Sequence, residues 1–223
     1  MAEAQNYAYI LTYARTGVMT WLAHLDTMSC FERSLKRAGI PLVWSGGFNP
    51  RPKIVFALPI GLGIECRADL LEIIVSEPLD LAEAAEKITA ALPEGLSVLE
   101  LRPADYGNKS LMSLVKAASY RVEGPGLGLA WQDYYTKHQA GPMLVTRQHK
   151  GKVKQVDLAE LLLDQEKLSA DCFRFKCRAG SSANLRPDLL LSALVEHEPG
   201  VRTAAEGARI IRESLELDLP QAD

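Results

Sequence analysis

Cysteine is scarce in this chain and widely scattered: Cys30, Cys66, Cys172 and Cys177 among 223 residues. No C-x2-C pair offers the spacing of a structural zinc site, and His138, His149 and His197 show no metal-ligand spacing either. Cys172 and Cys177 flank a segment that reads as a strand and point to opposite faces, so at least one is expected to be a small core hydrophobe. No apolar run approaches the ~20 residues a membrane helix needs, and nothing resembles a secretory leader, so a cytoplasmic location is expected. An excess of positive charge is also missing. Lys and Arg number 25 against 28 Asp and Glu, for a net charge of −3. That balance excludes coating nucleic acid through bulk charge, and leaves local patches open. The GxxxxGK[ST] order of a phosphate-binding P-loop is absent.

What is present is an ordinary globular composition, 48% apolar and 24% charged. The length admits one large or two small domains with ample core. The unusual residues are concentrated between His24 and Gly63. Leu25, Met28, Phe31, Leu35 and Ala38 recur at three- and four-residue intervals and predict an amphipathic helix. Asp26, Cys30, Arg33 and Arg37 lie along its opposite side. Gly39 and Pro41 stop it. The loop Ser45-Gly46-Gly47-Phe48-Asn49-Pro50-Arg51-Pro52-Lys53 follows, with two glycines that permit close backbone approach and two prolines that stiffen it. A stiff loop carrying Arg51 and Lys53 suits an anionic ligand, because little ordering entropy is left to lose on binding.

The run His24-Leu25-Asp26, Glu32-Arg33, Arg37-Ala38-Gly39-Ile40-Pro41, Gly47-Phe48-Asn49-Pro50 and Pro52-Lys53 resembles a bacterial family of unknown function, the radical SAM-associated, DUF2344-like proteins. The resemblance is densest over residues 7–75. It implies that the chain works with a radical S-adenosylmethionine (SAM) protein, encoded beside it or fused to it. The C-x3-C-x2-C triad of such an enzyme is missing from this chain. An iron–sulfur cluster and S-adenosylmethionine are therefore expected on the partner alone. Arg51 stands where many members are expected to have His, a departure that speaks against carrying a catalytic role over to that position.

Taken in order, Tyr7–Tyr13 reads as a strand, followed by the amphipathic helix. Pro41–Trp44, Lys53–Leu58 and Asp69–Ser76 read as extended segments, Leu81–Leu92 as a helix capped by Asp80, and Leu96–Leu101 as a strand. This β-α-β-β-α-β order predicts a ferredoxin-like split βαβ unit over residues 1–102. Residues 103–117 read as a linker, and 118–223 as a second such unit. In the second, strands are expected at Ala118–Glu123 and Asp171–Arg178, and helices at Trp131–His138 and Pro187–Glu196. Met143–His149 and Lys152–Val156 are expected to pair around Lys150-Gly151. Asp157 is expected to cap a helix through Leu163, and Arg209–Ser214 to close the unit as a strand. The fold class is thus α+β, two tandem ferredoxin-like α/β sandwiches.

Two cationic groups point to a phosphate-bearing ligand. Arg33 and Arg37 on the helix, with Arg51 and Lys53 on the loop, are expected to form one exposed patch bordered by His24, Ser45 and Asn49. Arg174, Lys176 and Arg178 alternate with Phe173, Phe175 and Cys177, which lines three cations along one sheet face. Such a row is either solvated or meets anions, since burying it unpaired is costly. Three readings follow. The first is a noncatalytic module holding RNA, ribosomal or transfer, for the radical SAM partner. The second is a metal-independent endoribonuclease using His24 beside Asp26, Arg33 and Ser45. The third is a protein–protein adaptor docking through the apolar segment Ile54–Ile64.

Overall fold

The alternation of large apolar residues in Tyr7–Arg15 makes the first strand, β1, with Tyr9, Leu11 and Tyr13 all turned into one core. The computed structural model describes residues 5–107, 109–139, 141–149 and 152–219. The chain divides into one unit of Met1–Val115 with Leu217–Asp223 and a second of Lys116–Glu216. The protein is mixed α/β. β1 with Ile64–Val75 and Leu96–Pro103, Ile54–Phe56 with Ile64–Val75, and Cys172–Arg178 with Val115–Glu123 and Leu162–Lys167 all pair antiparallel.

In the first unit, a short 3-10 turn at Gly17–Trp21 leads from β1 to α1 (His24–Arg37). Then come β2 (Ile54–Phe56), β3 (Ile64–Val75), α2 (Leu81–Ala91) and β4 (Leu96–Pro103). β1 is flanked by β3 and β4, and β2 pairs with the far side of β3, giving the order β4-β1-β3-β2. α1 and α2 cover one face of this sheet: Phe31, Leu35, Ala84 and Ile88 pack on Tyr9, Leu11, Leu71 and Ile73. Tyr13, Phe31 and Phe56 meet edge-on, with ring centroids 4.9–5.9 Å apart. Asp80 caps α2 by accepting from the Glu83 amide at 3.0 Å.

The buried stripe of α1 is rotated from the one its spacing predicts. Thr27, Phe31, Ser34 and Leu35 are buried, whereas Leu25 is 66% exposed. Pro41–Trp44 is not a full strand; Leu42 and Trp44 make single bridges, to Val75 and Pro52. Residues 103–117 hold α3 (Leu111–Leu114) and the first residues of β5 (Val115–Glu123).

The second unit continues with α4 (Leu127–His138), β6 (Leu144–His149), β7 (Lys152–Asp157), β8 (Leu162–Lys167) and β9 (Cys172–Arg178). It ends with α5 (Pro187–His197), α6 (Arg202–Glu206) and β10 (Arg209–Leu217). Its sheet runs β10-β5-β9-β8, while β6 and β7 form a separate hairpin. The turn expected at Lys150-Gly151 lies outside the described residues. Phe173, Phe175 and Cys177 are buried, and Trp131 of α4 stacks on Phe173 at 4.9 Å. Burial pushes the Cys177 thiol up to about 12, so it is the inert core cysteine of its pair.

The helix expected from Asp157 to Leu163 does not form. Asp157 instead accepts from the Met143 and Ala159 amides with one oxygen, at 2.9 Å each. The carboxylate ties a turn to the hairpin, and Leu162 opens β8.

Candidate nucleic-acid interface

The loop between α1 and β2 is held by its own backbone. Ser45 N donates to Arg51 O at 2.8 Å, Arg51 N donates to Ser45 Oγ at 3.0 Å, and Lys53 N donates to Val43 O at 2.8 Å. These bonds close a tip of Gly46-Gly47-Phe48-Asn49-Pro50, in which Gly47 takes a positive φ of 103°. The Ser45 hydroxyl, expected at a binding site, is an internal strut of the loop. Asn49, Arg51 and Lys53 are exposed.

Two side chains that the sequence reading did not single out dominate this tip. Phe48 is fully exposed and Trp44 is 46% exposed. An aromatic placed between Gly-Gly and Asn-Pro was the available signal, since no regular element brings that position to a core. The charge around the tip is also one-sided. From Arg33 to Ile64 the chain carries Arg33, Lys36, Arg37, Arg51 and Lys53 and no acidic residue at all.

The four expected patch cations do not gather at one point. Arg37 reaches across to α2, donating to Ala91 O at 2.7 Å and Ser34 Oγ at 3.0 Å, and so serves the last turn of that helix. Arg51 lies on another flank of α1, with Nη1 3.9 Å from Glu32 Oε1. Arg33 is exposed and faces away from the core between these two flanks. Arg51, Lys53 and Asn49 thus belong with Trp44 and Phe48, and Arg37 is structural.

The cationic row of β9 meets anions from its own unit. Glu166 of β8 pairs with Arg174 at 2.5 Å, and Glu216 of β10 pairs with Lys176 and, at 3.2 Å, with Lys116. Arg178 Nε donates to Glu160 O at 3.2 Å. Arg121 stands directly opposite Arg174 in the β5–β9 register, and draws on Glu213 at 3.2 Å and Glu123 at 3.0 Å. The two lysines hold the Glu216 carboxyl below its ordinary value. This face is a ladder of compensated charge with little net field to offer a polyanion.

His24 opens α1 half-buried, its ring edge-on to Phe56 at 5.3 Å. Asp26 and Arg33 come roughly 200° and 180° further around the helix, on the side away from it. Beneath it, the buried Arg15 guanidinium donates to Gly61 O and Ile64 O at 2.8 Å, Leu22 O at 3.3 Å and Thr27 Oγ1 at 3.4 Å. Tyr13 Oη donates to Asp69 Oδ2 at 3.3 Å. The segment Ile54–Ile64 gives Phe56, Ala57, Leu58 and Ile60 to the interior and leaves Leu62 standing out.

Among the described residues, no group of three or more His, Cys, Asp or Glu is placed to hold a metal ion. No helix among them is long and apolar enough to cross a membrane.

Two solved structures align over nearly the whole chain. One is an unknown protein from Galdieria sulphuraria, with 16% identity, coverage of 96% of this chain and 99% of that one, and a TM-score of 0.27. The other is a putative glycine cleavage system transcriptional repressor, with 13% identity, the same coverages and a TM-score of 0.24. No curated protein matches the chain. The family model described as "Uncharacterized protein conserved in bacteria (DUF2344)" matches residues 8–187, and the chain belongs to that family.

Proposed function

We propose that this protein is a noncatalytic RNA-binding module that works with a separate radical SAM enzyme. Its two units, in this reading, are tandem ferredoxin-like sandwiches. The order β4-β1-β3-β2 in the first unit and β10-β5-β9-β8 in the second supports that description, with the β6–β7 hairpin inserted ahead of β8. The observation that carries the RNA reading is the preorganised loop, which presents Arg51 and Lys53 inside a stretch free of acidic residues, in a protein of net charge −3. A fixed local cationic site binds phosphate where overall charge would not. Any iron–sulfur chemistry belongs in this reading to the partner, because the chain carries no C-x3-C-x2-C triad.

The test is binding of fluorescently labelled transfer or ribosomal RNA fragments across a range of salt concentrations. Affinity should fall steeply with salt. Arg33→Ala with Arg51→Ala should weaken binding and flatten that slope while the circular dichroism spectrum is unchanged. An undiminished slope in the double variant would sink this assignment of the site. The endoribonuclease reading is tested by the same RNA: intact RNA after incubation without metal would count against it, and cleavage lost in His24→Ala would count for it.

The adaptor reading rests on a different surface from the one its sequence argument used. Trp21 is 72% exposed and Leu62 61% exposed, and the Trp21 ring lies over Gly63, where a β-carbon would come within 3.4 Å of it. Val18 and Leu25 are exposed nearby in sequence. In this second reading the face docks the radical SAM protein itself, and Trp21→Ser should abolish co-elution with that enzyme while leaving RNA affinity intact.

A further inference from the structure

Trp44 and Phe48 are large apolar side chains held in water by an ordered loop, and nothing in the preceding site uses them. Leaving a Phe fully exposed forgoes the gain of burying its ring. The loop does not let it collapse: the Ser45–Arg51 and Val43–Lys53 bonds fix the base, and Gly47 at positive φ turns the chain just before Phe48. The aromatics are flanked by cations, with Arg51 and Lys53 on the returning limb. Asn49, between Phe48 and Pro50, brings a side-chain amide with two donors and an acceptor.

We propose that this loop takes an unpaired base of single-stranded RNA, stacked on Phe48 and Trp44, with Arg51 and Lys53 on the adjoining phosphates. The inference rests on the RNA-binding reading above and names its substrate class. Aromatic side chains bind bases by stacking only where the base is splayed out of a helix. The A-form major groove is too deep and narrow for such a side chain, whereas loops, bulges and ends present open faces. The cations supply the phosphate contacts that hold a strand in place, and stacking supplies a sequence-tolerant grip on each base. Apolar tip and cationic limb together fit a polyanion with exposed rings better than an apolar protein groove, which would desolvate Lys53 and leave Arg51 only its long contact with Glu32.

The experiment measures fluorescence anisotropy of two labelled RNAs at several salt concentrations: a mixed-sequence single strand and a perfectly paired duplex of the same length. The proteins are wild type, Phe48→Ala, Trp44→Ala and Arg51→Ala with Lys53→Ala. The single strand should bind at least tenfold more tightly than the duplex. Phe48→Ala should lose roughly tenfold in single-strand affinity with its salt slope unchanged, since one stacked base contributes about 1–3 kcal/mol. The double cation variant should flatten the slope. Phe48 touches no core, so thermal stability should not change and a folding defect cannot mimic the result. Equal affinity for the two RNAs, or no loss in Phe48→Ala and Trp44→Ala, overturns the stacking proposal while a salt-dependent wild-type affinity preserves the broader reading. Absence of salt-dependent binding to either RNA overturns both, and would assign the two aromatics to a protein partner.

Discussion

Gly128 and Ser169 are held backbone to backbone: a β-carbon on Gly128 would lie 2.1 Å from the Ser169 carbonyl oxygen. The Cys172 amide and carbonyl would also be within 2.9 Å of it. Gly128 lies in the first turn of α4, where Ala is the better helix former, so propensity alone favours replacement. The close approach of α4 to the β8–β9 turn reverses that preference. Gly128→Ala should destabilise the protein by about 3 kcal/mol, read as a lower urea midpoint. An unchanged midpoint would mean that α4 can move off the turn freely.

Burial pushes the Glu72 carboxyl above its ordinary value of 4.5. A folded-state value above the unfolded one means that the native state holds the extra proton. The native state therefore loses stability as pH rises from the unfolded value through the folded one. Glu72→Gln removes that loss. Its urea midpoint should exceed the wild-type midpoint at pH 7, and the difference should shrink toward pH 4. A constant difference across that range would refute the assignment.

Arg15 fastens the end of β1 to two stretches of chain, one through Leu22 O and the other through Gly61 O and Ile64 O. Arg15→Met keeps much of the volume and strands part-buried carbonyls, at a cost of about 1–3 kcal/mol. The Gly63 amide donates to Thr20 O at 2.9 Å beside this junction, and its hydrogen exchange should quicken in the variant as that turn loosens. Unchanged exchange at Gly63 would show that the turn holds without the guanidinium.

Glu32 is the acidic neighbour that α1 offers Arg51. Their contact is long and Arg51 is well exposed, so the pair adds less than ~1 kcal/mol to stability. If Arg51 contacts phosphate, Glu32 competes with the ligand. Glu32→Gln should tighten RNA binding about twofold to fivefold and leave the thermal midpoint within a degree or two. Weaker binding would place Arg51 outside the interface.

Segments with one buried and one solvated side were legible in the chain. β1, α2, β9 and α5 show a period that matches their burial, and α1 shows a helical period whose buried stripe is rotated from the predicted one. β8 was not legible, because Asp164, Glu166 and Lys167 are exposed and little alternation remains in LLDQEK. Asp157 misled for a related reason: a carboxylate that accepts amides in a turn has the same sequence appearance as a helix cap. At the site, residue type announced the cations but not their neighbours. Arg37 is committed to Ala91 and the β9 row to Glu166 and Glu216, pairings made across the fold that no local pattern encodes. Phe48 was overlooked because an aromatic is read by default as core.

The same poverty of pattern in β8 has a further effect. Among the described residues β8 is last in its sheet and pairs with β9 alone, which makes its other side an edge. Asp164, Glu166 and Lys167 crowd that margin, and an irregularity between Leu162 and Asp164 bends it out of line. A strand from a second molecule would have to set its own side chains among these charges and follow the kink. The residues that hid the strand from a sequence reader are thus of the kind that disfavour edge-to-edge pairing between copies of a protein.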